Sequence, residues 1–310
     1  MILSVSRRTD IPALYLDWFL KRLEEGYVLV RNPMNPSRVS RISLEPAVVD
    51  CIVFWTKNPA EILKRLNSLS AYNYYFQITI TGYGRHLEPF VPPLERVIAA
   101  FKSLSQAIGK EKTIWRYDPV ILTDEMDVEF HRCHFARLAD ELADYTERCV
   151  ISFLDLYKKT ARNMQGFGPL ILEDKAFSEV ASYIGQTAND HGIQVETCAE
   201  HIDLSDFGIK PGKCIDDGLI ERILGQPLAV SKDHNQRPAC GCVSSIDIGA
   251  YNTCTHGCLY CYANYSPKTV QQNIKNHDPN SPLLIGRIQP TDKITERTME
   301  SLVDHQMKLF

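Results

Sequence analysis

The stretch Ser244-Ser-Ile-Asp247-Ile-Gly249-Ala-Tyr-Asn-Thr-Cys254-Thr-His-Gly-Cys258-Leu-Tyr-Cys261-Tyr-Ala-Asn264 sets a short strand-like run directly ahead of three cysteines. Gaps of three and then two residues let one loop wrap three corners of a cube, and Gly257 supplies the backbone freedom such a wrap needs. A 4Fe-4S cluster is normally held by four Cys thiolates. A compact run offering three either borrows a distant fourth or leaves one iron open to a small molecule. Two other readings stand beside this one: a zinc site completed by His256 or another cysteine, and a redox pair formed by Cys258 and Cys261.

The pattern Cys254-x3-Cys258-x-Tyr260-Cys261, with its aromatic slot filled by Tyr260, resembles the signature of the radical S-adenosylmethionine (radical SAM) enzymes. Along its whole length the chain also resembles a bacterial domain-of-unknown-function family that carries this motif near the C-terminus. The resemblance implies that SAM chelates the open iron, that an electron donor such as flavodoxin or ferredoxin reduces the cluster, and that reductive SAM cleavage abstracts hydrogen from a substrate. That substrate, a small molecule or a peptide, is not identified by the likeness. In most of the superfamily the motif follows the first barrel strand, whereas here it lies near the end of the chain. A circular permutation accounts for this if the strand Asp247–Tyr251 pairs in parallel beside Leu3–Ser6. Permutation is tolerated where chain termini lie close at a surface.

The bulk composition is that of a globular protein. The chain has 310 residues, of which 44% are hydrophobic and 23% charged, enough for a large core. A net charge of -4 gives no overall basic field, so nucleic acid is not the expected partner. Arg7, Arg8 and Asp10 follow only a few apolar residues, which argues against a signal peptide or a membrane span and for a cytoplasmic protein. Ten cysteines are then read as metal-binding or catalytic rather than disulfide-bonded. Seven fall between Cys198 and Cys261; Cys51, Cys133 and Cys149 lie in apolar patterns and are expected in the core.

Apolar runs alternate with helical spacing along residues 1–200. The strands expected are ILSVS, YVLVR, CIVFWT, YYFQITI, KTIWRY, CVISFLDL and IQVETC, with helices near 12–25, 59–69, 94–108, 128–145 and 174–191. Repeated strand-helix-strand order implies parallel strands with right-handed crossovers. The fold expected is therefore α/β: a full or partial TIM-like parallel barrel, circularly permuted. Residues 1–200 form its body, and 201–310 form a cysteine-rich iron-sulfur region that completes it. Tail helices are expected near Pro267–Asn276 and Asp292–Met307.

In a parallel barrel, working residues gather at the C-terminal ends of the strands. The polar residues there run from Ser6-Arg7-Arg8-Thr9-Asp10 and Thr56-Lys57 to Ser152, Asp155 and Lys158, and then to Glu196 and Glu200. Thr79, Thr81, Arg116 and Asp118, with Tyr260 of the signature, are the residues expected to meet SAM. Hydroxyl and acidic groups suit its amine and ribose, and an arginine suits its carboxylate. The Gly-Gly-Glu amine-binding motif of the superfamily is not found after the signature. Cys198, Cys214, Cys240 and Cys242 make a second set of four thiols in a polar segment and are expected to bind an auxiliary 4Fe-4S cluster, with zinc or no metal as the alternatives. The competing function class is a zinc- or cluster-stabilised barrel that binds rather than catalyses.

Overall fold

Short apolar strands separated by amphipathic helices build one large parallel sheet. The computed structural model describes residues 1–304 except 156, 157, 165, 167–169 and 172, and the side chains of 158, 159 and 161 are also outside it. In chain order the strands are β1 (Ile2–Val5), β2 (Tyr27–Arg31), β3 (Arg38–Ser43), β4 (Cys51–Thr56), β5 (Tyr74–Thr79), β6 (Thr113–Val120), β7 (Arg148–Phe153), β8 (Gln194–Thr197), β9 (Lys210–Pro211), β10 (Ile246–Asp247) and β11 (Lys293–Arg297). The helices are α1 (Ile11–Leu14), α2 (Leu16–Glu24), α3 (Ala60–Leu63), α4 (Leu94–Ile108), α5 (Val128–Leu142), α6 (Lys158–Asn163), α7 (Asp174–Asp190), α8 (Asp217–Leu224) and α9 (Pro267–Lys275). Eight strands lie in the order β10-β1-β4-β5-β6-β7-β8-β9, all neighbours parallel. The sheet is open: β10 and β9 are its two edges, and no closed barrel forms among the described residues.

Alternation along each strand gives the sheet two apolar faces, as expected where both sides are covered. Leu3, Val5, Phe54, Phe76, Ile78, Trp115, Tyr117 and Ile151 point to one side. There they meet Trp18 and Phe19 of α2, Val97 and Phe101 of α4, Phe135 and Leu138 of α5, and Val180 and Ile184 of α7. The opposite face, with Ile2, Val53, Tyr75, Ile114 and Val150, packs against Cys214, Ile215, Leu219, Ile220, Cys242 and Val243. The long helices thus share one side, and the cysteine-rich segment covers the other.

The chain's distant ends meet at β1 and β10. Leu3 pairs with Ile246 and Ser4 with Asp247. The Asp247 carboxylate accepts from Ser4 Oγ at 2.9 Å, Ser6 Oγ at 2.7 Å, Arg7 N at 2.8 Å and Gly249 N at 3.0 Å. The last of these turns the chain back, so the strand expected over Asp247–Tyr251 is confined to Ile246–Asp247. A side chain at Gly249 would put its Cβ 1.9 Å from Ser6 Oγ, so only glycine lets the turn pack here.

Other expectations are corrected. YVLVR lies outside the main sheet: the turn residues Asn32, Pro33, Asn35 and Pro36 send the chain straight back into an antiparallel β2–β3 pair rather than into a crossover. The helix expected near Asp292–Met307 is a strand over Lys293–Arg297, parallel to β3. Its charged residues carry no helical period, and Glu296 pairs with Arg41 at 2.6 Å. The final residues, from 305 onward, lie outside the described ones. Cys51 and Cys149 are core residues as expected, but Cys133 is exposed on the outer side of α5. No helix among the described residues is long and apolar enough to cross a membrane.

Asp247→Ala would leave Ser4, Ser6 and the Arg7 amide without an acceptor at a buried seam. Its stability should fall by about 3 kcal/mol, in line with hydrogen bonds to a buried charge. The check is a lower denaturant midpoint with an unchanged slope.

Candidate functional site

The loop that follows β10 carries the three signature cysteines, and four neighbouring segments hold it. Asn252 at φ 57° and Gly257 at φ 70° set its two sharp turns. Thr253 O accepts from Tyr15 Oη at 2.6 Å, Cys254 O from Asn264 Nδ2 at 2.8 Å, and Leu259 O from Asn163 Nδ2 at 3.0 Å. The segment between β5 and α4 runs alongside, with Leu259 N donating to Leu87 O at 3.0 Å and Phe90 N donating to His256 O at 3.1 Å. Pro89 and Phe90 press so closely on Gly257 that an added Cβ would lie 3.0 Å from the Phe90 ring.

His256 serves the fold. Its Nε2 lies 2.7 Å from Asp10 Oδ2, both side chains being buried. The same carboxylate accepts from Lys57 N at 2.8 Å and caps α1 through Ala13 N at 3.0 Å. Asp10 therefore ties the end of β1, the end of β4 and the cysteine loop together. The three thiols are half-buried and unbridged. Burial pushes Cys258 up to about 12, with the Lys57 ammonium pulling against it.

Beside Cys258 lies a charged centre at the ends of β4 and β5. Glu88 Oε1 accepts from Lys57 Nζ at 2.8 Å, from Thr81 Oγ1 at 2.6 Å and from the hydroxyl of Tyr260. Lys57 also sits 5.6 Å from the centre of the Tyr260 ring. Burial acts to raise the Glu88 carboxyl, but Lys57 and then the two hydroxyls hold it below the usual carboxylate range. Burial also opposes the charge on Lys57, yet Glu88 and the Cys258 sulfur raise its pKa above that of an ordinary lysine. Thr81 and Tyr260 are thus brought together, on a residue that inspection of the strand ends misses. Glu88 lies in Leu87-Glu88-Pro89-Phe90-Val91, and an acid inside an apolar, proline-rich connection was the available signal.

Arg116 and Asp118 form a second centre on the next strand, β6. They pair with each other, and Ser152 Oγ donates to Asp118. The Arg116 guanidinium lies 5.1 Å over the Trp55 ring and donates to Cys214 Sγ at 2.8 Å. Burial opposes its charge, while Asp118, Cys214 and Cys198 hold its pKa well above the usual value. Asp118 also acts on the charge of Lys57, which couples the two centres electrostatically. Thr79 is half-buried beside Arg116 in register, on the same face as Gln77. Among the other rim residues, Glu200 accepts from Phe153 N at 2.9 Å, and burial raises its carboxyl to about 7. Glu196 is taken up by Arg148 at 3.1 Å, and the side chain of Lys158 lies outside the described residues.

The second thiol set gathers on the same face. Cys214 Sγ lies 3.4 Å from Cys198 Sγ, and Cys242 is within hydrogen-bonding reach of both Cys214 and Cys240. The four form an open chain of contacts, and among the described residues no three His, Cys, Asp or Glu side chains close into a ready metal shell. A cavity of about 380 Å³ between α7 and β8 opens near Gln194, at the opposite end of the strands from these groups.

The family model for a domain of unknown function, DUF1848, matches residues 2–263. No curated protein and no solved structure matches the chain.

The Glu88–Lys57 pair makes a pH-dependent prediction. A carboxyl held below its unfolded value of 4.5 contributes stability above that pH and loses it as pH falls toward the folded value. Glu88→Gln should therefore lower stability at pH 7, by about 3 kcal/mol for a buried charge left unpaired. It should also flatten the loss of stability below pH 4.5, read from denaturant midpoints across an acid series.

Proposed function

We propose that this chain, which belongs to the DUF1848 family, is a radical SAM enzyme acting on a small-molecule or peptide substrate. The observation that carries the reading is the setting of Cys254, Cys258 and Cys261. One loop presents three unbridged, half-buried thiols at the end of β10 and β1, beside the buried Lys57–Glu88–Tyr260 centre. The donor set fits a three-thiolate cluster. His256, the nearest alternative ligand, already spends its Nε2 on Asp10, and Ala263 N donates to Cys261 Sγ at 3.4 Å, the kind of bond that tunes cluster sulfurs. Cys254, Cys258 and Cys261 would hold the 4Fe-4S cluster.

When bound and reduced, such a cluster supplies the electron that splits SAM and yields a hydrogen-abstracting 5'-deoxyadenosyl radical. The chain's own residues supply orientation and charge. Tyr260 and Thr81 fix Glu88, and Glu88 fixes Lys57 against the loop, so a cation and an anion stand beside Cys258 with little freedom to move. Lys57 and Glu88 neutralise each other here, and a ligand bearing an ammonium and a carboxylate would meet their charges only by exchanging partners with the pair. Thr79 and Arg116 are register partners, and Arg116 and Asp118 are paired with each other on the adjoining strand.

The one-way strand order, with the long helices on one face, supports reading the sheet as an open, circularly permuted form of the superfamily's parallel barrel. β10 takes the place of the first barrel strand, and the cysteine loop follows it as it follows that strand elsewhere.

Anaerobic reconstitution with iron and sulfide, followed by SAM and a strong reductant or reduced flavodoxin, should release 5'-deoxyadenosine. Alanine at Cys254, Cys258 or Cys261 should abolish that product and remove about four irons per chain. Full product formation by the triple variant, or a colourless wild-type protein carrying only zinc, would defeat the proposal in favour of a binding role.

A further inference from the structure

Four thiols from three separate segments meet on the sheet face that the helices leave uncovered. Cys198 follows β8, Cys214 precedes α8, and Cys240 and Cys242 lie on the strip that leads to β10. Cys214, Cys240 and Cys242 are buried and Cys198 is half-buried, and no disulfide joins them. Solvent access does not explain their grouping. Packing accounts for them only in part: Cys214, Cys240 and Cys242 belong to the apolar cluster on this face, yet polar groups also reach the sulfurs. Arg116 donates to Cys214 Sγ at 2.8 Å, and the Ile215 amide donates to Cys242 Sγ at 3.3 Å.

The surrounding backbone is equally constrained. Cys214 O accepts from Tyr75 Oη at 2.7 Å and from Gln77 Nε2 at 3.0 Å, so two side chains of β5 fix that residue. Cys198 N donates to Ile151 O at 2.8 Å, and Cys242 O accepts from Asp233 N at 2.9 Å. Gly241, between the last two cysteines, runs so close to Gly212 O that an added Cβ would lie 3.2 Å from it. The spacing of the sulfurs is informative as well. Two thiolates on one tetrahedral ion, with bonds of about 2.3 Å, stand about 3.8 Å apart, close to the 3.4 Å between Cys198 and Cys214.

We propose that Cys198, Cys214, Cys240 and Cys242 are the ligands of a second metal centre, separate from the signature loop, with Arg116 as its charge-balancing neighbour. Four thiolates bring four negative charges to a site whose metal returns only part of them, and a buried guanidinium bonded to one sulfur offsets the remainder. Four protein ligands leave no open coordination position, so the centre stabilises the strip that leads to β10 or passes electrons, and does not bind substrate. Tetrathiolate ligation suits one zinc ion or one 4Fe-4S cluster, and the same measurement tells them apart.

The test is metal analysis of the full chain, produced with iron and zinc both supplied and purified anaerobically. Wild-type protein should hold, besides the signature's iron, either about one zinc or about four further irons. C254A/C258A/C261A, checked for folding by circular dichroism, should keep that second complement. C214S/C242S should lose it and keep the signature's. A folded signature variant with neither metal overturns the proposal. Should that variant fail to fold, wild-type iron and zinc content left undiminished in C214S/C242S overturns it instead. A second complement retained by a protein that never cleaves SAM would leave this inference standing while the radical SAM reading falls.

Discussion

The Asp247 carboxylate is the hinge of the architecture. A two-residue strand has few ladder bonds with which to hold a sheet edge, yet β10 carries the cysteine loop. Asp247 makes up the deficit by accepting from two serine hydroxyls and an amide of the N-terminal segment, some 240 residues away in the chain. Burying a carboxylate is costly unless donors surround it, and here the donors belong to β1 and the turn after it. One ionised side chain thus couples the two ends of the sequence.

The Lys57–Glu88 and Arg116–Asp118 centres lie on neighbouring strands of the sheet that this seam begins. In an all-parallel sheet each strand ends at the same edge, so Lys57, Thr81, Asp118 and Glu200 are neighbours although far apart in the chain. The helices occupy one face because each crossover moves the chain in the same direction along the sheet. The other face is left to the cysteine-rich segment, which fills it with α8 and the second thiol set. Asp118, acting on both Lys57 and Arg116, makes the two centres electrostatically aware of each other.

Several groups expected to be available for a ligand are committed within the protein. His256 and Asp10 brace the loop, Glu196 neutralises Arg148, and Arg116 faces Cys214 as well as Asp118. A residue type suited to a ligand is equally suited to a buried partner, and only three-dimensional proximity decides between them.

Local pattern was enough to read the helices from Leu94, Val128, Asp174 and Pro267, the parallel strands of residues 1–200, and the signature loop, because period and punctuation act within a few residues. It failed where the deciding partner was remote. Lys293–Arg297 becomes a strand because β3 satisfies its backbone; Tyr27–Arg31 is a different case, since the adjacent Asn- and Pro-rich turn was the local signal for the hairpin that takes it out of the main sheet. Glu88 became visible only when Lys57, Thr81 and Tyr260 were seen to converge on it. The sequence by itself determined most strands and the long helices of residues 1–200, the thiol inventory and the three-cysteine loop. The sequence also led to the expectation that the strand ahead of the signature lies beside β1, which the structure bears out over Ile246–Asp247. Which charges are paired was decided only by the tertiary structure, because partners such as Lys57 and Glu88 or His256 and Asp10 are separated by tens to hundreds of positions.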